Sequence, residues 1–147
     1  MKGDPLTILL VEDDDAHAEI VRRNFEGFRV ANRLVRLEDG QAALDYLLHE
    51  GAYAAVPPSR PVLVLLDLRL PKVDGIEVLR RIKTHPELSR IPVVVLTTSS
   101  AETDMVQAYD CHANSYLVKP VEFPKFVALM ETLGYYWLAW NRHPFAE

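Results

Sequence analysis

A chain of 147 residues and 16.7 kDa, 49% hydrophobic, has material for one buried core, and a single domain over residues 1–147 is expected. Sixteen Lys and Arg against twenty-one Asp and Glu leave a net charge of -5, which excludes a global positive field for nucleic acid or an anionic membrane. The single cysteine, Cys111, excludes an internal disulfide framework and a thiolate zinc site; no apolar run approaches the roughly 20 residues of a membrane helix, and "EDDD" stands where an export signal needs small residues, so a cytoplasmic location is expected.

Short β-rich runs alternate with longer stretches of helical period. "LTILLV", near residues 6 to 11, predicts a first strand, and the segment from about 15 to 27 a helix whose inward stripe is Ile20, Val21, Phe25 and Phe28. "RLVRL" predicts the second strand, followed by a helix near 40 to 50 and a proline-rich surface loop, "GAYAAVPPSRP", at 51 to 61. "VLVLL" at 62 to 66 predicts the third strand, with a helix from about 75 to 85. "PVVVLT" and a helix near 101 to 110 follow, then "SYLVKP" and a long aromatic helix over about 124 to 141. That rhythm is (βα)5, an α/β fold with a doubly wound five-stranded parallel sheet. The runs near 6 to 11, 62 to 66 and 93 to 96 lack period-2 alternation, as strands buried on both faces of a parallel sheet do, and belong at its centre.

In such a sheet ligands bind beyond the carboxyl ends of the strands, where strand order reverses. The first strand runs into Glu12 and Asp13, the third into Asp67, the fourth into Thr97 and the fifth into Lys119, while the second offers only Glu38 and Asp39. Any one of these alone reads as a helix cap or a turn residue, as Asp14 and Asp15 do at the start of the first helix. Together they bring carboxylates, a hydroxyl and an ammonium into one crevice. Crowded carboxylates raise one another's pKa, and a hard divalent cation, Mg²⁺ (or Mn²⁺), resolves the repulsion with oxygen ligands. Thr97 and Lys119 are then placed to grip the oxygens of a phosphoryl group on Asp67. Lys119 precedes Pro120, where cis bonds occur, and a cis Lys119–Pro120 bond is expected to fix the lysine's aim. His17, His49, His85, His112 and His143 lack metal-ligand spacing and read as solvated or structural.

"LLVEDD", "LLDLRLPKVDG", "VVVLTTS" and "SYLVKP" resemble the receiver domain of bacterial two-component response regulators over residues about 6 to 131, with Thr97 thirty and Lys119 fifty-two positions after Asp67, as in that family. The resemblance implies a flavodoxin-like, CheY-like fold. It implies that Asp67 accepts a phosphoryl group from the phosphohistidine of a sensor histidine kinase. Asp13 and the main-chain carbonyl of Arg69 would bind Mg²⁺ with Asp67, assisted by Glu12, Thr97 and Lys119 would hold the phosphoryl oxygens, and Tyr116 would be the switch aromatic beside Thr97. The output surface would be the fourth helix, fifth strand and fifth helix.

Few residues follow the fifth helix, so the chain is expected to signal by binding. Phe126, Met130, Leu133, Trp137 and Trp140 step by four and three, and "YYWLAW", with Tyr136, puts aromatic residues on further sides of the last helix. A homodimer or partner interface is expected there, extended by Met105, Val106 and Tyr109. The aromatic tail resembles single-domain response regulators that accompany bacterial and cyanobacterial phytochromes, which implies a light-regulated kinase. Two other classes stand beside this reading. A phosphohydrolase with Asp67 as nucleophile wants a second acid two residues on, where Arg69 stands, and a phosphorylation-independent docking module leaves the complete site without a purpose.

Overall fold

The structure, a computed structural model, describes residues 6–27, 32–55, 60–134 and 136–137. Five strands and five helices alternate: β1 (Leu6–Val11), α1 (Asp15–Glu26), β2 (Asn32–Leu37), α2 (Gly40–Leu48), β3 (Leu63–Leu66), α3 (Gly75–Thr84), β4 (Val93–Thr97), α4 (Glu102–Asp110), β5 (Ser115–Val118) and α5 (Phe123–Gly134). The strands form one parallel sheet in the order β2-β1-β3-β4-β5, so chain order reverses between β1 and β3. Among the described residues no helix is long and apolar enough to cross a membrane.

Each central strand feeds two cores. Leu9, Val11, Val64, Leu66, Val93 and Val95 pack toward α2, α3 and α4, against residues such as Leu44, Leu79 and Ala108. Their neighbours Ile8, Leu10, Leu63, Leu65, Val94 and Leu96 pack toward α1 and α5, against Val21, Phe25, Phe126 and Met130. Successive side chains leave a strand on opposite faces, so a sheet covered on both sides needs an apolar residue at every position. Burying each such side chain contributes about 1.5–3 kcal/mol. Apart from Thr7 near the start of β1, polarity returns only at the carboxyl ends of these strands.

Capping fixes where the helices start. Asp14 Oδ1 accepts from the His17 N–H at 3.0 Å, and Asp39 Oδ1 from the Ala42 N–H at 2.7 Å. Asp39, one of the two acids after β2, is thereby occupied in starting α2. The stripe on α1 is real for Val21 and Phe25, both fully buried, while Ile20 is half-buried and Phe28 lies outside the described residues.

Two Asp-Gly pairs bring backbone against backbone next to the rim. A Cβ at Gly40 would stand 1.9 Å from the Val73 carbonyl oxygen; one at Gly75 would stand 2.3 Å from the Asp67 carbonyl oxygen and 2.5 Å from Leu68 Cα. Gly75→Ala should therefore destabilise the fold by about 3 kcal/mol through overpacking, outweighing the roughly 1 kcal/mol by which Ala is the better helix former. Urea unfolding measures it; a variant at least as stable as the wild type would mean that β3 and α3 are not packed this closely.

Three groups of expectations change at this level. Phe126, Met130, Leu133 and Trp137, expected at an intermolecular interface, are 2, 0, 9 and 9% exposed. They face the sheet because one side of it is covered by α1 and α5 alone, and the stripe on α5 fills that core. The long aromatic helix is described only as α5 to Gly134, and Trp140 lies outside the described residues. The Lys119–Pro120 bond is trans, since there is no cis peptide bond among the described residues. Trans is the lower state of an X-Pro bond by about 0.5–1 kcal/mol, and the lysine is aimed by its hydrogen bonds instead.

Candidate functional site

Register delivers the strand tips to one edge. Val11 lies beside Leu66, so Glu12 and Asp67 emerge next to each other, and the Asp67 N–H donates to the Val11 carbonyl at 3.1 Å. Thr97 lies beside Val118, so Lys119 emerges next to Thr97, and its N–H donates to the Thr97 carbonyl at 2.7 Å. Glu12, Asp67, Thr97 and Lys119 are all buried, at 1, 8, 0 and 4% exposure, whereas Asp13 is exposed.

The Lys119 ammonium is the hub. It donates to Glu12 Oε1 and, at 3.0 Å, to Asp67 Oδ2, and it lies 3.0 Å from His17 Nδ1. His17 thus belongs to the site, contrary to its reading as a merely solvated or structural side chain. An ion pair this deep costs desolvation on both sides and holds only because its hydrogen bonds are made. Burial pushes the Glu12 carboxyl up to about 7, with the nearby Asp67 charge adding to the rise, against the opposing hydrogen bond and charge of Lys119.

Carboxylate oxygens of Glu12, Asp13 and Asp67 lie within 4.8 Å of one another. An all-oxygen set with one exposed member, open to water, fits a hard divalent ion of the Mg²⁺ or Mn²⁺ kind and offers no nitrogen or sulfur ligand of the sort zinc favours. Such an ion would add positive charge beside a Glu12 carboxyl that burial and the Asp67 charge push up.

A second chain of contacts leaves the rim toward α4. The Arg69 N–H donates to Asp67 Oδ1 at 3.3 Å, and the Arg69 guanidinium pairs with Asp104 at 2.5 Å. Asp104 also accepts from the Ser99 hydroxyl at 2.5 Å, the Ser99 N–H donates to Thr97 Oγ1 at 3.3 Å, and the Ser99 carbonyl accepts from the Tyr116 hydroxyl at 2.9 Å. Burial raises the pKa of the half-buried Tyr116 phenol. Arg69 and Tyr116 were expected near the site; Ser99 and Asp104, which join them, were not. Arg36 was missed as well. From β2 its Nε donates to the Glu12 carbonyl at 2.9 Å, and its Nη1 pairs with Asp15 at 2.9 Å, bracing the turn that carries the acids. An arginine inside the strand run "RLVRL" is the trace of it in the sequence.

The fold and the rim define a doubly wound α/β domain with a divalent-cation site at its switch point. The family profile of the response regulator receiver domain matches residues 8–131, and the chain belongs to that family. It is 53% identical over 142 residues to the probable methanogenesis regulatory protein FilR2 of Methanothrix harundinacea, covering 96% of this chain and 89% of that one. To the response regulator Rcp1 of Synechocystis it is 43% identical over 134 residues, covering 91% and 90%. Among solved structures, the phosphorylated cyanobacterial phytochrome response regulator RcpA superposes with a TM-score of 0.91 at 40% identity, over 96% of this chain and 99% of that one. The Mn²⁺-bound form of Rcp1 also gives 0.91, at 42% identity, over 95% and 99%.

Proposed function

We propose that this receiver domain takes a phosphoryl group on Asp67 from the phosphohistidine of a partner kinase. The observation that carries the reading is the Asp67 carboxylate at a buried strand tip, 3.0 Å from an ammonium and grouped with the carboxylates of Glu12 and Asp13. In the transfer the phosphorus–nitrogen bond of the donor breaks, a bond forms from an Asp67 oxygen to phosphorus, and the histidine leaves. Phosphoryl transfer needs little covalent help; positioning and charge neutralisation supply most of the acceleration. A divalent ion held by Asp13, Asp67 and the Arg69 carbonyl, with Glu12 assisting, would offset the charge that collects on the transferring oxygens. Lys119 is a second cation beside the acceptor oxygen, and Thr97 is the hydroxyl that closes on the new group.

The signal then passes through Thr97 and Tyr116 to the α4–β5–α5 face. Met105, Val106, Tyr109 and Val118 are 36, 51, 48 and 42% exposed there, and Tyr136 is 56% exposed. This apolar surface is the interface for a second copy or a downstream protein, replacing the α5 stripe. RcpA, a cyanobacterial phytochrome response regulator, favours a phytochrome-type kinase as donor. The 53% identity to FilR2 favours a second reading of the input, a kinase that senses something other than light. The site of action is the cytoplasm, where such kinases keep their phosphohistidine.

Incubation with acetyl phosphate and Mg²⁺, read by intact mass and sizing, tests the function. One labile phosphoryl group per chain is expected with Mg²⁺ and none when EDTA replaces it, with a shift toward dimer on phosphorylation. Steady turnover of many phosphate esters would instead identify a hydrolase, and an equal dimer in both states would remove phosphorylation from the control of assembly. A phytochrome kinase whose transfer to this chain differs between red and far-red light decides the input.

A further inference from the structure

His17 sits one helical turn after Asp13 with its ring held from two sides. Its main-chain N–H is fixed by the Asp14 cap at 3.0 Å, and its ring lies against that of the buried Phe126 on α5, 5.6 Å between centroids at a tilt of 51°. That leaves Nδ1 3.0 Å from the Lys119 ammonium. An ammonium has only donors, so Nδ1 is the acceptor and the ring proton belongs on Nε2. All three N–H groups of Lys119 are then used, on Glu12, Asp67 and His17.

We propose that His17 is a positioning residue for Lys119, holding the ammonium in the unphosphorylated site through Nδ1 and surrendering that bond when a phosphoryl group arrives on Asp67. The inference rests on Asp67 as the phosphoacceptor. A phosphoryl group brings new anionic oxygens to an ammonium with no spare donor, so one existing bond must go. All three bonds start from a charged donor, but those to the carboxylates also carry the attraction between opposite charges, which makes the imidazole the partner that is released. His17 is therefore bonded before transfer and free after it, and it bears on gain of the group rather than on its loss.

That asymmetry is the test. His17→Phe keeps a ring against Phe126 and removes the acceptor. With acetyl phosphate and Mg²⁺ it should take up the phosphoryl group about tenfold faster, the equivalent of one hydrogen bond from a charged donor no longer broken on the way, while losing it at the wild-type rate. His17→Asn places an oxygen where Nδ1 stood and should restore the slower uptake. A variant that only loosened the fold would change both rates in one direction and gain nothing from Asn. Nitrogen NMR of wild-type His17 gives a reading independent of any substitution: Nε2 protonated with Nδ1 as acceptor, and a shift of Nδ1 when beryllofluoride and Mg²⁺ stand in for the phosphoryl group. Uptake by the Phe variant within about twofold of wild type, or an Nδ1 resonance unmoved by beryllofluoride, overturns the proposal. Failure of the wild-type protein to take up any phosphoryl group overturns instead the Asp67 reading beneath it.

Discussion

Asp67→Asn should take up no phosphoryl group at all under conditions in which the wild-type chain gains one. The amide matches the carboxylate in size, and its oxygen still accepts from Lys119, which lies 3.0 Å away in the native site. It lacks the anionic oxygen that forms the new bond. The substitution also removes one of two carboxylates that share a single buried ammonium, so the fold should keep its stability to within about 1 kcal/mol. Intact mass after acetyl phosphate treatment, beside a urea melt, gives both readings at once. A labile adduct on the Asn variant at the wild-type rate would place the acceptor elsewhere, with Asp13 the next carboxylate to test.

Lys119→Met should cost the fold a large share of its stability. Methionine fills much of the same volume, but Glu12 and Asp67 then face each other with no counter-charge at 1 and 8% exposure. Removing one partner of a buried pair typically costs about 3–5 kcal/mol. The lower end applies here, because a Glu12 carboxyl already raised to about 7 can shed its charge by taking a proton. For a domain of this size, about 3 kcal/mol lowers the melting temperature by about 10 °C. Magnesium should return more stability to the variant than to the wild type, since a cation between the carboxylates replaces the missing charge. Calorimetry with EDTA and with Mg²⁺ separates the two. Equal melting of variant and wild type in EDTA would mean that the ammonium is not what holds the carboxylates together.

The sheet and most of the rim were legible in the sequence for one physical reason. A strand buried on both faces has to be apolar throughout, so the residue at which "VLVLL" gives way to Asp67 marks the strand tip and the position of a side chain. Glu12, Thr97 and Lys119 could be read in the same way, and the parallel register brought them together. Side-chain direction was not legible. The spacing of Phe126, Met130, Leu133 and Trp137 is that of a helix face in need of a partner, and periodicity does not say whether the partner is the chain's own sheet or another chain. His17 and Lys119 are 102 positions apart, joined by the way α1 packs against α5, and no local pattern announces such a contact. Ser99 and Asp104 belong to the same class. Each is an ordinary polar residue at a helix start until Arg69 and Tyr116 are found on either side.

Because alternate residues of β1, β3 and β4 enter different cores, the two sides of the molecule can be retuned separately. A change at Leu65 or Val94 adjusts the bed beneath α1 and α5; one at Val64 or Val95 adjusts the bed beneath α2, α3 and α4. The rim is common property, since every central strand ends in it. Descent from one ancestor can thus diversify what touches the outer helices on either side while the chemistry at the strand ends stays as it was.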